Sequence, residues 1–261
     1  MNTESQNPRT EFLSEMSVEE ILLAMSYEDE VAASAVRSAS GQIALAANAV
    51  ATCFTGGLTT LFVGAGTSGR LAMMEAAEMV PTFSVEPQQF VALKAGDRSD
   101  CHDCPPEDDV LQAEEDFCSV ANVGCVVGIS ASGQAPYVLE VIRLAANVTT
   151  IGIANNPDAP LLSSSRIPVL LDTGAEVLTG STRLKAGTAQ KMALNQITTA
   201  AMVLCGRVSG NMMTFMIPVN SKLRKRAIGI VMSKLGVTRD DALSRLDAAQ
   251  WSLPKALGYI P

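Results

Sequence analysis

The stretch from Leu58 to Thr82, LTTLFVGAGTSGRLAMMEAAEMVPT, restricts the possible fold more than any other part of the chain. Leu61, Phe62 and Val63 form an apolar run with the length and side-chain shape of a buried strand. Gly64, Gly66 and Gly69 follow, and a helical pattern begins near Arg70. A strand, a glycine turn and a helix start bring backbone N–H groups and the positive end of a helix onto one anion. The spacing also fits G-x-G-x-x-G, so a dinucleotide site competes. Two features favour a terminal phosphate instead. Thr67 and Ser68 place two hydroxyls in the turn, and the next apolar segment, Gln89–Leu93, ends at Lys94 where a ribose-binding acid would stand. A purely structural turn is the third reading.

The rest of the chain repeats the alternation. A second apolar strand, Gly124–Ser130, runs into Ala131, Ser132, Gly133 and Gln134, and a helix is expected over Pro136–Ala146. Further strands are expected at Thr149–Ala154 and Ile167–Leu171, with Asn155-Asn156-Pro157 as a turn between them. Strands alternating with helices imply βαβ units, hence a parallel sheet covered on both faces. Ligands of such sheets sit beyond the strands' carboxyl ends, at the topological switch point. Both glycine–serine turns fall at those ends. The expected class is therefore α/β, a three-layer α/β/α fold on a five-stranded parallel sheet. N-terminal helices and a small C-terminal helical cluster accompany it.

The segments outside the sheet divide the chain. Residues 1–16 are polar and are expected to wrap the surface; Ser17 starts a short helix through Met25, and an Ala-rich helical segment runs from Glu28 to Phe54. After the polar loop Asp172–Lys185 a long helix covers Ala186–Cys205, and helices are expected near Asn220–Lys234, Arg239–Leu246 and Ala248–Leu257. This gives an N-terminal helical part (1–56), a phosphosugar-binding domain (57–218) and a C-terminal helical region (219–261).

Charge and cysteine usage remove other classes. A formal charge of −8 offers nothing to nucleic acid or an anionic membrane, and no long uncharged apolar run suggests a span. A cytoplasmic address is the default expectation. Six cysteines without a secreted-scaffold rhythm are expected as free thiols. Cys101-His102-Asp103-Cys104 invites a metal reading, but no second ligand pair follows at zinc spacing, so a solvated loop is expected and no metal.

Candidate chemistry lies in four places. Thr67, Ser68, Ser130 and Ser132 offer hydroxyls at two strand ends; alone, each is also an ordinary helix cap. Glu75 and Glu78 lie three apart on the helix after the first turn, as a solvated face or as an acid aimed into the cleft. Glu107 follows Pro105-Pro106, where a helix dipole would also explain it. Glu176, Arg183 and Lys185 crowd the loop DTGAEVLTGSTRLK.

The blocks FVGAGTSGRL, EAAEMVPTF, VVGISASGQAPYV and AEVLTGSTRLKAGTAQKMALN resemble the N-acetylmuramic acid 6-phosphate etherases of the sugar-isomerase (SIS) domain superfamily, to which the animal glucokinase regulatory protein is related. TESQNPRTEFLSEMSVEEILLAMSYED and VSGNMMTFMIPVNSKLRKRA extend the likeness over nearly the whole chain. The resemblance implies a SIS-type fold, a homodimer with a shared site, no cofactor, and release of D-lactate from a 6-phosphorylated amino sugar to leave N-acetylglucosamine 6-phosphate. It implies Glu78 as the acid for the departing lactate and Glu107 as the group placed to take the C2 proton. It implies phosphate held by Gly66, Thr67, Ser68, Ser130, Ser132 and Gly133, with Glu176 and Lys185 as further substrate contacts. The family's aspartate, serine and Cys-Pro pair around the first glutamate are here Glu75, Ala77, Met79 and Val80. The segment before Glu107 is shorter, and Gln134 stands for a usual arginine. A phosphosugar-binding regulator and a SIS-type isomerase are the alternative functions.

Overall fold

The computed structural model describes residues 1–96 and 106–259. Helix α1 spans Val18–Ser38 and α2 Ser40–Thr55; strand β1, Thr59–Gly64, then leads into α3, Gly66–Phe83. Strand β2 (Phe90–Lys94), α4 (Val110–Cys118), β3 (Val123–Ile129) and α5 (Pro136–Leu144) follow. Next come β4 (Thr149–Ala154), the short α6 (Pro160–Ser163), β5 (Ile167–Leu170) and α7 (Lys185–Leu204). The C-terminal cluster comprises α8 (Ser221–Leu235), α9 (Arg239–Ala248) and α10 (Leu253–Ala256).

The sheet is five-stranded and wholly parallel, in the order β2-β1-β3-β4-β5. Every residue of β1 is buried, as a strand covered on both faces requires. Side chains alternate between two cores. Phe62, Val127, Ile129, Ile151 and Ile153 face the layer of α1, α2, α3 and α7, while Leu61, Val63 and Val126 face α4, α5 and α6. This is the three-layer α/β/α arrangement expected. The helices α8–α10 enclose a separate apolar cluster around Ile228, Val231 and Leu246. That cluster is tied to the main body where the Ile217 N–H donates to the Pro81 carbonyl and Arg207 stacks on Phe215.

Helix α3 begins at Gly66, four residues ahead of the expected start near Arg70, and two further helix boundaries differ from the sequence expectation, each for a local reason. The helix begun by the Ser17–Glu20 capping box runs through Met25 to Ser38, because no glycine or proline interrupts it, and the break falls at Ala39. Near the C-terminus Gln250 and Trp251 adopt positive φ of 53° and 59°, so no helix starts at Ala248 and α10 begins at Leu253. Among the described residues no helix is long and apolar enough to cross a membrane.

Candidate active site

Strand order places both turns together. From β1 the chain goes to β2 on one side, while β3 lies on the other, so the switch point falls between β1 and β3. Gly64 and Ile129, the last residues of those strands, are register partners, and the two turns therefore leave the same sheet edge side by side. In the first turn the chain must approach itself closely. A Cβ on Gly64 would lie 2.7 Å from the Gly69 nitrogen, and one on Gly69 would lie 2.7 Å from the Gly64 oxygen. Only glycines let α3 start this near its strand. The opening N–H groups of α3, from Gly66 onward, have no carbonyl one turn earlier within the helix.

The second turn is held by its own side chains. The Gly133 N–H donates to Ser130 Oγ at 3.0 Å, and the Gln134 N–H to Ser132 Oγ at 3.2 Å. Gly133 has φ +67°, and a Cβ there would come within 2.4 Å of the Ala159 Cβ. Ser130 is buried, and Ser132 and Thr67 are half-buried. The start of α7 closes on the same edge, since a Cβ on Gly187 would sit 3.4 Å from the Thr67 methyl.

A buried amide relay, missed in the sequence, fixes this geometry. Ser68 Oγ donates to Gln190 Oε1 at 2.8 Å, and Gln190 Nε2 donates to Asn155 Oδ1 at 2.9 Å. Asn155 Nδ2 continues to the Leu171 carbonyl at 3.0 Å and Thr173 Oγ1 at 3.3 Å. One chain of bonds thus joins the first turn, α7 and the ends of β4 and β5. The signal for Gln190 was available: it sits with Ala186, Ala189, Ala193, Leu194 and Ile197 on the buried face of α7, where a polar side chain needs a partner.

Glu176 and Lys185 are engaged differently from the expectation of substrate contacts. Glu176 is fully buried and caps α7, accepting from the Lys185 N–H at 3.2 Å and the Ala186 N–H at 3.0 Å. Burial raises its carboxyl above the ordinary range, partly offset by those two N–H bonds. The Lys185 ammonium is turned inward onto Glu28 of α1, which Arg9 also contacts at 2.8 Å. Burial alone would raise the Glu28 carboxyl, but bonds to Lys185, Asn7 and Arg9 outweigh that and leave it below the ordinary range. The N-terminal segment binds the same loop, with Asn7 Nδ2 donating to the Ala175 carbonyl and Thr10 Oγ1 to that of Val177.

Glu78 is exposed and opens onto a cavity of about 310 Å³ between α3 and α7. Glu75, one turn earlier, is buried and accepts from Lys191 Nζ and from Thr198 Oγ1 at 2.6 Å. Glu107 lies exposed on a 3-10 turn, Pro106–Asp108, beside α5, whose layer covers the opposite face of the sheet from α3. The two glutamates thus stand in layers that cover opposite faces of the sheet. Cys101, His102, Asp103 and Cys104 lie outside the described residues; within them no cluster of metal-binding side chains occurs.

A three-layer α/β/α arrangement on a five-stranded parallel sheet, with glycine–hydroxyl turns at its switch point, is the fold of the SIS domains. The glucokinase regulatory protein N-terminal SIS domain model matches residues 42–161. The chain also shares its fold with phosphoheptose isomerases of Francisella tularensis (TM-score 0.55, 15% identity, 72% of this chain and 99% of that one) and Neisseria gonorrhoeae (0.51, 19%, 73% and 100%). The more specific likeness is to the N-acetylmuramic acid 6-phosphate etherases, and the chain belongs to that family. It is 40% identical to the enzyme of Deinococcus radiodurans over 98% of this chain and 86% of that one, and 41% identical to that of Cutibacterium acnes over 95% and 83%. With the Staphylococcus aureus enzyme it shares 38% over 93% and 83%.

Proposed function

We propose that this protein is an etherase that splits the D-lactyl ether of N-acetylmuramic acid 6-phosphate, yielding N-acetylglucosamine 6-phosphate and D-lactate. The observation that carries the reading is the relatedness to enzymes of that name over nearly the whole chain. The geometry supports it. The amides of Gly66 and Thr67 and the hydroxyls of Thr67, Ser130 and Ser132 sit on the two turns at the switch point, where a dianion gains from helix ends and charge-assisted bonds, while Gly133 shapes the second turn. Ser68 enters through its backbone, since its hydroxyl proton is directed to Gln190. Glu176 and Lys185 act behind the ligand, holding the loop and the start of α7.

The reaction is a carbon–oxygen lyase step on the open-chain sugar. A base takes the C2 proton, the C3–O bond breaks, and Glu78 protonates the departing lactate oxygen. Water then adds across the C2–C3 double bond, placing its hydroxyl on C3. Glu107 is assigned to the C2 proton.

The assembly is a homodimer with shared sites. Glu78 stands twelve residues beyond Gly66 on α3, about 18 Å along the helix axis, which is farther than a hexose phosphate reaches. A sugar anchored at one chain's turns therefore meets the Glu78 of a second copy. The compartment is the cytoplasm, consistent with the free thiols of Cys53, Cys118, Cys125 and Cys205.

Glu78→Gln tests the reading. D-lactate release should vanish while sugar phosphate still binds; full turnover would remove Glu78 from the mechanism. The match to a regulatory SIS domain favours one competitor, a phosphosugar-binding regulator, and wild-type protein that binds but releases no lactate would favour it.

A further inference from the structure

The cavity beside Glu78 holds a cation that the reaction scheme leaves unused. Lys191 lines it together with Glu78, Asn195 and Thr199, and its ammonium is anchored from behind by Glu75. Thr198 Oγ1 holds the other Glu75 oxygen, so the carboxylate is bound at both ends and fixes the lysine in place. An ammonium has three donors, and among the described residues one bond is made, to Glu75. The Lys191 side chain is 27% exposed against 5% for Glu75, so its outer side faces the cavity and the pair is not sealed.

The substrate of the proposed reaction carries two anions at opposite ends, and the switch point accounts for one. The second is the carboxylate of the lactyl group. It is separated by a single carbon from the ether oxygen that Glu78 protonates. Whatever seats that oxygen at Glu78 must leave the carboxylate within the same cavity. A desolvated carboxylate needs a charge partner with hydrogen bonds. We infer that Lys191, set by Glu75 and Thr198 and flanked by Asn195 and Thr199, is the binding residue for the lactyl carboxylate. It thereby distinguishes the lactyl-bearing sugar from its product. The inference deepens the etherase reading and rests on it.

Binding is measured calorimetrically in the Glu78→Gln background, which removes turnover, with N-acetylmuramic acid 6-phosphate and N-acetylglucosamine 6-phosphate as probes. Adding Lys191→Gln should weaken the first ligand at least tenfold, about 1.4 kcal/mol, and the second by less than twofold. Lys191→Arg should recover most of the loss, because the charge returns. Lys191→Gln leaves Glu75 without its cation, so Glu75→Gln with Lys191→Gln is the second variant; it keeps the pair neutral and should show the same selective loss. Equal weakening of both ligands, or of neither, overturns the inference. The two readings fail separately. Absence of lactate release by the wild type sinks the etherase activity, whereas lactate release with unselective loss in the lysine variants sinks only the carboxylate site.

Discussion

Lys185→Met addresses the pairing that sets the loop beneath the site. The side chains of Lys185 and Glu28 are 4% and 2% exposed, so the substitution leaves a carboxylate in the interior with Arg9 as its remaining cation. Removing one member of a buried pair costs about 3–5 kcal/mol, and the mostly exposed Arg9 places this case near the lower end. For a chain of this length that is a fall in Tm of roughly 6–12 °C. Denaturant unfolding and scanning calorimetry read it directly. Glu28→Gln combined with Lys185→Met should recover more than half, because the stranded charge is gone. The pH dependence follows from the sign of the Glu28 shift. Its folded value lies below its unfolded one, so the stabilisation is complete above the unfolded value and is lost as pH falls through the folded value. The gap between wild type and Lys185→Met should therefore narrow below about pH 4. A loss under about 1 kcal/mol, or a gap that stays constant down to about pH 3, would refute the argument that this lysine is a buried clamp.

Two further outcomes are expected. Gly133→Ala sets a side chain at φ +67° and against Ala159, so it should cost about 2–5 kcal/mol in thermal or denaturant unfolding and weaken sugar phosphate binding together. Mixing Glu78→Gln protein with a Thr67→Ala/Ser132→Ala variant, each inactive alone, should restore about a quarter of wild-type lactate release. A random dimer mixture is half heterodimer with one native site of two, and no recovery would place Glu78 and the turns in one chain's site.

Periodicity made the fold legible. The apolar runs of β1, β3 and β4 stand clear of their neighbours, and glycines and serines mark where each strand gives way to a helix. From that alternation the parallel sheet and the meeting of two turns at its edge both followed. Side-chain partners were less legible, because a buried polar residue does not announce which distant group it binds. Lys185 belongs to a loop dense in charge, yet its partner Glu28 lies on α1, 157 residues away. Asn155 and Asn156 look like turn formers, and they are interior brackets that bind α7 and the N-terminal segment. Gln190 and Lys191 are adjacent on α7, but a helix sends neighbours to different faces, one to the relay and one to the cavity. The break at Ala39 escaped notice because Ser38, Ala39 and Ser40 carry no helix-ending residue ahead of Gly41.

The most direct measurement of the account is the fate of oxygen when wild-type protein acts on N-acetylmuramic acid 6-phosphate in heavy-oxygen water. D-lactate should leave with its original ether oxygen, and N-acetylglucosamine 6-phosphate should carry one solvent oxygen at C3. Solvent oxygen in the lactate, or no lactate at all, would contradict cleavage of the sugar-side bond by this site.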